Sequence, residues 1–161
     1  MTDFLDGIDE FLDGFTPEER AVSRAVFRRV LEGEATPPET LASILDMTPA
    51  AVEATVARLV ERGTVARDPE SGDIVGARGL TLAETRHRLT IDGRALHAYC
   101  AVDAVGIPVA LGRKARVESR CHACGRPLDL TIEQGRVIDA PAGTVIWAAE
   151  RDLGRSLREY T

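Results

Sequence analysis

Three segments with helical periodicity, followed by a short hairpin, constrain the fold of the first half of this chain most strongly. Thr16-Pro17-Glu18-Glu19 predicts a helix start, with an N-cap threonine, a proline at the first helical position and a glutamate three residues after the cap. Apolar residues then recur at helical spacing up to Gly33. A short helix over residues 39–45 and a third helix from Thr48-Pro49 to Gly63 are expected to follow.

A hairpin is expected directly after the third helix. Residues 64–67 and 73–76 favour strands, and they flank the turn-forming run Asp68-Pro69-Glu70-Ser71-Gly72. Helices followed by a hairpin predict a winged helix-turn-helix, a topology that often binds DNA.

The charge of the presumed recognition helix argues against nucleic acid as a partner. Its charged residues are Glu53, Arg58, Glu61 and Arg62. These sum to zero, whereas a helix that reads a DNA groove normally has a basic surplus. The whole chain has a net charge of -6, which also disfavours binding to phosphates. We therefore expect a structural or dimerising winged helix, which allows a homodimer, and no nucleic-acid partner.

The pattern changes after residues 76–82, which we take as a domain boundary. We expect a winged-helix-like domain over residues 1–78 and a second domain over residues 79–161, in which helices accompany a small mixed or antiparallel sheet. The fold class is therefore α+β. The elements expected in the second part are a strand over residues 86–91 that turns at Asp92-Gly93, a helix over residues 101–111, short strands around Val117, Leu130 and Val137, a strand over residues 144–147 and a closing helix over residues 151–160.

The composition predicts a cytoplasmic protein with reduced thiols. No apolar run approaches the roughly 18 residues that a membrane helix needs. The first residues are acidic, unlike the basic start of a secretion signal. The chain has three cysteines, an odd number that disfavours a disulfide framework, and all three lie between positions 100 and 124.

Cys100 and Asp103 form the first candidate site. If residues 99–105 are helical, positions three apart share one face, so the thiol and the carboxylate are neighbours. A thiolate is a nucleophile and a soft-metal ligand, and an adjacent carboxylic acid can transfer a proton. The alternative is a cysteine that serves only as a small buried apolar residue.

Cys121-His122-Ala123-Cys124-Gly125 forms the second candidate site, because CxxC followed by glycine resembles half of a zinc ribbon. Structural zinc needs four ligands, and Cys100 with Asp103, or His122 or His97, could complete a mixed site. Thiolate ligands select soft or borderline ions, including Zn(II), Cu(I) and Hg(II). The alternative is a turn with two unligated thiols. His87 lies in an alternating strand and is expected at the surface.

Several blocks of the second part resemble the organomercurial (alkylmercury) lyases, in the family's order and with similar gaps. The blocks are Gly79-Leu80-Thr81-Leu82-Ala83-Glu84-Thr85, Leu96-His97-Ala98-Tyr99-Cys100-Ala101-Val102-Asp103, Leu111-Gly112-Arg113, Cys121, Gly125-Arg126-Pro127-Leu128-Asp129-Leu130-Thr131 and Pro141-Ala142-Gly143. The resemblance covers roughly residues 75–145. That family also begins with a winged-helix-like domain that does not read DNA.

The resemblance implies a role in mercury resistance, namely protonolysis of a carbon-mercury bond without an organic cofactor. Cys100 matches a catalytic cysteine that binds mercury, and Asp103 matches an acid that takes the thiol proton and delivers it to the leaving carbon. Cys121 matches a cysteine regarded as structural in the family. The substrate would be a small organomercurial, and Hg(II) would remain held by thiols.

The resemblance leaves the second thiol unassigned. The family's second catalytic cysteine lies further along the chain, and no cysteine follows Cys124 here. One hypothesis is a lyase in which Cys124, with or without Cys121, receives Hg(II). The other is a shortened relative that binds or senses a soft metal through Cys100, Cys121, Cys124 and Asp103 without cleaving anything. A DNA-binding regulator is the least favoured reading.

Overall fold

The computed structural model describes residues 14–146, and within them the fold is α+β, as predicted. The chain divides into two compact units between Arg78 and Gly79. The described helices and strands of the first unit are α1 (Pro17–Leu31), α2 (Pro38–Leu45), α3 (Pro49–Glu61), β1 (Val65–Arg67) and β2 (Ile74–Ala77). Those of the second unit are β3 (Leu80–Thr81), β4 (His87–Ile91), β5 (Arg94–Ala98), α4 (Ala101–Leu111), β6 (Ala115–Arg120), β7 (Pro127–Glu133) and β8 (Arg136–Asp139).

The first unit has the predicted order of three helices and a hairpin in its described part. Helix α1 starts with a capping box, in which Thr16 Oγ1 accepts the Glu19 N–H and the Glu19 carboxylate accepts the Thr16 N–H. Strands β1 and β2 pair antiparallel, and the Asp68 carboxylate accepts the N–H groups of Glu70 and Ser71 to fix the turn. The apolar residues buried in this unit include Val26, Phe27, Leu41, Val56 and Leu59.

Two arginines at the C-terminal end of α3, the presumed recognition helix, bind a buried carboxylate within the first unit; Arg58 lies in the helix and Arg62 is its C-cap. Arg58 donates from Nε to Glu19 Oε1 at 3.0 Å, and Arg62 donates to Glu19 Oε2 at 3.4 Å. Glu19 is only 1% exposed. A buried charge is costly unless it is paired, so these arginines compensate the Glu19 carboxylate. The contacts support a structural role for the helix.

The second unit contains an antiparallel sheet with the strand order β3-β5-β4-β6-β7-β8. The β4–β5 hairpin turns at Asp92-Gly93, as predicted, and both residues have positive φ angles. Helix α4 packs against β4 to β8. Leu89, Ile91, Leu96 and Ile132 lie in the resulting core and are at most 1% exposed.

Three predictions in this unit are not confirmed. The strand over residues 144–147 and the surface position of His87 are wrong where the structure describes them, and the closing helix lies outside the described residues. Residues 144–146 have no regular structure, although a strand was expected there; Thr144 instead donates to the Pro141 carbonyl, which forms a turn. Trp147 and the expected closing helix over residues 151–160 are not among the described residues. His87 is buried, not at the surface, because its ring contacts Ser119 on β6 at 2.8 Å.

None of the helices between residues 14 and 146 has the length and apolar character needed to cross a bilayer.

Candidate active site

Cys100 and Asp103 meet at the first turn of α4. Cys100 is the N-cap of the helix, with an extended backbone (φ -143°, ψ 172°), and Asp103 is the third residue after it. The Asp103 N–H donates to Cys100 Sγ at 3.3 Å, and the Cys100 thiol donates to Asp103 Oδ2 at 3.0 Å. The sulfur therefore takes the place of the serine or threonine oxygen of an N-cap.

The sequence correctly predicted that the two side chains are neighbours, but the structure brings them together in a different way from the one predicted. The prediction placed both residues on one face of a helix, whereas the helix begins at Ala101 and Cys100 lies before it. A cap directs its side chain back over the first turn, so contact with the third helical residue follows from the cap itself.

Backbone hydrogen bonds hold Cys100 at the end of β5. Ala98 pairs with Leu80 on β3 and with His87 on β4. The Tyr99 N–H donates to the Gly79 carbonyl at 2.9 Å, and the Ala104 N–H donates to the Cys100 carbonyl at 2.9 Å. The thiol is thus attached on one side to a sheet and on the other to a helix, which limits its movement.

Gly79 lies directly against the Asp103 carboxylate. A Cβ atom added to Gly79 would be 2.4 Å from both Cγ and Oδ1 of Asp103, and Gly79 has a φ of +88°. Any side chain at this position would displace the carboxylate, so the close approach requires glycine. The sequence analysis placed Gly79 in a family block without a role. A glycine at the start of a strand was the available signal.

Burial and charge keep the Cys100 thiol protonated. Burial, followed by the charge of Asp103 and the hydrogen bond to it, raises the pKa of Cys100 to about 12. Burial also raises the pKa of Asp103, although the hydrogen bonds from Cys100 oppose this shift. At pH 7 a thiol of pKa 12 is ionised in roughly one molecule in 100,000. The resting pair is therefore a neutral thiol that donates to a carboxylate.

A proton can leave this thiol only as another bond to sulfur forms. Transfer from a thiol of pKa about 12 to a carboxyl that is more acidic is uphill, by about 1.4 kcal/mol for each unit that separates the two pKa values. Binding of a soft metal to sulfur offsets such a cost because the thiolate is its preferred ligand. The pair suits a reaction in which metal binding to sulfur and proton transfer to Asp103 occur together.

The second candidate site is the turn between β6 and β7. The Gly125 N–H donates to the Cys121 carbonyl, and the Cys121 N–H donates to the Arg126 carbonyl, both at 2.9 Å. Gly125 has a φ of +70°, as the predicted tight turn requires. Backbone N–H groups of Cys124 and Ala123, then the Cys124 thiol, lower the pKa of Cys121. We call residues 121–126 the thiol turn.

The described residues bring the candidate ligands together as two pairs. Cys100 contacts Asp103, and Cys121 contacts Cys124. Within residues 14–146, no group of three or more His, Cys, Asp or Glu side chains lies close enough to hold a metal ion. A single ion shared by Cys100, Cys121 and Cys124 therefore has no preformed site in this part of the chain, and neither has four-coordinate zinc.

The two histidines considered as extra ligands have other hydrogen-bond partners. His97 Nδ1 accepts the Thr85 N–H at 3.1 Å, which fixes the loop that precedes β4. His122 Nδ1 contacts the Arg86 guanidinium at 3.2 Å. Both contacts place the rings at the end of the sheet where β4 begins.

Comparison with known proteins assigns the second unit to a family. Residues 80–161 match the family model described as alkylmercury lyase, which is half of the chain. The chain belongs to the alkylmercury lyase family. Among the family's curated members, the alkylmercury lyase of Pseudomonas putida is 39% identical over 104 residues, which are 64% of this chain and 49% of that protein. The Streptomyces lividans enzyme is 34% identical over 141 residues, which are 84% of this chain and 61% of that protein.

The structural comparison agrees with this family. A crystal structure of the mercury-bound form of MerB2 matches with a TM-score of 0.86 and 26% identity, covering 98% of this chain and 77% of that chain. The chain spans about half the length of the Pseudomonas putida relative.

Proposed function

We propose that this chain cleaves the carbon-mercury bond of organomercurials by protonolysis, with Cys100 and Asp103 as the catalytic residues. The observation that carries this proposal is the 3.0 Å contact between the Cys100 thiol and Asp103 Oδ2. Membership of the alkylmercury lyase family supports it. Mercury is the substrate's reacting atom and the product ion, and the proposal involves no organic cofactor.

The first step attaches the organomercurial to the protein. Cys100 Sγ bonds to mercury, and the thiol proton passes to Asp103 Oδ2. The group that leaves mercury is a weaker ligand, such as a halide or a small thiolate. The high pKa of the resting thiol means that the proton moves as the sulfur-mercury bond forms.

The second step breaks the carbon-mercury bond. Thiolate ligation weakens that bond, and the Asp103 carboxylic acid protonates the leaving carbon. The hydrocarbon departs with both bonding electrons and the proton. Hg(II) remains on Cys100, where a second thiolate completes its coordination. Burial favours the protonated form of Asp103 between the two steps.

The test is release of benzene from phenylmercuric acetate in the presence of excess monothiol. We expect release by the unaltered chain and none above the thiol blank for Cys100→Ser. Ala110→Ser is a matched control, because Ala110 is an exposed residue of the same helix. Absence of release by the unaltered chain, or equal release by Cys100→Ser, would overturn the proposal.

The first unit would then be a winged-helix-like domain over residues 1–78 that serves a structural role, and residues 79–161 would form the lyase domain. The pairing of Arg58 and Arg62 with Glu19 supports this division of roles. A cytoplasmic location fits the three free cysteines, since reduced thiols are maintained in that compartment. A homodimer and the lack of a nucleic-acid partner stay predictions.

A further inference from the structure

The thiol turn contains two cysteines that the proposed protonolysis does not use. Cys124 is exposed and Cys121 is half-buried, and both are free thiols. The flanking strands β6 and β7 pair over six residues on each side, so the turn is held at the end of a continuous ladder. Two accessible thiols on a rigid turn can both bind one ion without ordering a long segment.

The surroundings of Cys121 in the turn include several hydrogen-bond donors and positive charges. The backbone N–H groups of Ala123 and Cys124 point toward Cys121, and Arg126 adds positive charge. Arg120 lies beside the turn, where it donates to the Gly125 carbonyl, and Arg86 contacts His122. Donors and cations around a sulfur stabilise its ionised form. The environment is thus opposite to that of Cys100, which is kept neutral.

The register of the sheet places this turn at the same end as Cys100. His87, the first residue of β4, pairs with Ala98 near the end of β5 and contacts Ser119 near the end of β6. Cys100 follows β5 by two residues, and Cys121 follows β6 directly. Since only β4 separates β5 from β6, the two sites are about two strand spacings, or roughly 10 Å, apart.

The number of ligands that the thiol turn offers restricts which metal ion it can bind. Within the described residues, Cys121 and Cys124 have no third His, Cys, Asp or Glu side chain close enough to complete a metal site. Zinc requires four ligands, whereas Hg(II) is satisfied by two thiolates in a linear arrangement, which also neutralise its charge.

We propose that Cys121 and Cys124 form an acceptor site that binds the product Hg(II) as a bis-thiolate after it leaves Cys100. This inference rests on the proposed function, because that function supplies the ion. Transfer is an exchange of ligands without oxidation or reduction. Two mercury-sulfur bonds form at the turn and two break, at Cys100 and at the small thiol bound beside it. The two protons lost by the turn thiols equal those regained by the released thiols.

The experiment measures retention of Hg(II) by the full chain with Cys100→Ser, so that only the turn can bind it. Mercuric chloride is added with a monothiol at about 0.1 mM, below the mM effective concentration of a tethered second thiol. After gel filtration, mercury per chain is measured by elemental analysis, and thiolate-to-mercury charge transfer by ultraviolet absorbance. We expect one Hg(II) per chain.

Cys100→Ser combined with Cys124→Ser, or with Cys121→Ser, should lose this mercury. Cys100→Ser combined with Ala123→Ser, which alters the same turn without removing a thiol, should keep it. Circular dichroism checks that each variant is folded. Failure of Cys100→Ser to retain mercury, retention that survives Cys124→Ser, or one mercury per two chains would each overturn the acceptor site.

Benzene release by the unaltered chain is measured in parallel. Release without mercury retention at the turn refutes the acceptor site alone. Retention at the turn without benzene release refutes the proposed lyase function while leaving a mercury-binding turn.

Discussion

Replacing Asp103 by asparagine should make Cys100 more acidic. The substitution removes the negative charge that raises the pKa of the thiol, but it leaves the burial and the backbone N–H that caps toward sulfur. The pKa of Cys100 should therefore fall from about 12 and stay above its ordinary value of 9.0. The same variant should lose protonolysis, since the amide cannot carry the proton.

The expected change in the alkylation rate of Cys100 is the net result of two opposing effects. A fall of one pKa unit increases the thiolate fraction at neutral pH about tenfold. The less basic thiolate is also about threefold less nucleophilic per unit, because the Brønsted coefficient is near 0.5. Alkylation of Cys100 at a fixed pH should thus increase by only about threefold for each unit.

The pH profile of alkylation is the sharper assay. Iodoacetamide labelling is followed by mass spectrometry in a chain with Cys121→Ser and Cys124→Ser, so that only Cys100 reacts. The wild-type profile should rise log-linearly through pH 10, and the Asp103→Asn profile should bend at a lower pH. Asp129→Asn is the matched control, because Asp129 is an exposed carboxylate paired with Arg116. A profile that is unchanged or moved to higher pH in Asp103→Asn would refute the electrostatic account.

Two further predictions concern Gly79 and Glu19. Gly79→Ala should slow benzene release about 100-fold by displacing Asp103, while phenylmercury still binds to Cys100. Gly93→Ala is the control and should keep the wild-type rate, because Gly93 has a similar φ of +83° but open space around it. Equal rates for both variants would contradict this. Glu19→Gln should lower the free energy of unfolding by about 1–3 kcal/mol at pH 7. This is less than the cost of breaking a fully buried ion pair, because the partners Arg58 and Arg62 are half exposed. Burial raises the pKa of Glu19, but hydrogen bonds from Thr16 and Arg58 outweigh burial, so the pKa in the folded protein is lowered. The stabilisation that Glu19 provides is therefore present above the unfolded pKa near 4.5 and is lost as the pH falls through the folded pKa. Urea unfolding at pH 7 and pH 3 should show the difference shrinking, and a constant difference would refute the assignment.

The sequence predicts local structure in this protein better than it predicts contacts between distant residues. Thr16 and Thr48 both cap helices as expected, because a cap involves only neighbouring residues. The tight turn at Cys121 to Gly125 was predicted for the same reason. The pairing of Cys100 with Asp103 was also local, although a cap and not a helix face produces it.

Contacts made by the tertiary fold were not predictable from the pattern. His87 lies in an alternating strand that reads as half exposed, yet β6 pairs beside it and Ser119 contacts its ring. The approach of Gly79 to Asp103 joins residues 24 positions apart, and it depends on where Tyr99 binds the Gly79 carbonyl. Neither contact leaves a periodic signal, since one arises from the pairing of β4 with β6 and the other from the position of α4 beside the residue that precedes β3.

The central claim is that Asp103 delivers the proton that cleaves the carbon-mercury bond at Cys100. It is tested most directly by a single turnover of phenylmercury bound to Cys100, with excess monothiol, in the wild type and in Asp103→Asn. Both should bind one phenylmercury through Cys100. The wild type should then release one benzene per chain, and Asp103→Asn should release it at least about 100-fold more slowly. Equal benzene release from the two proteins, with phenylmercury bound equally, would contradict the claim.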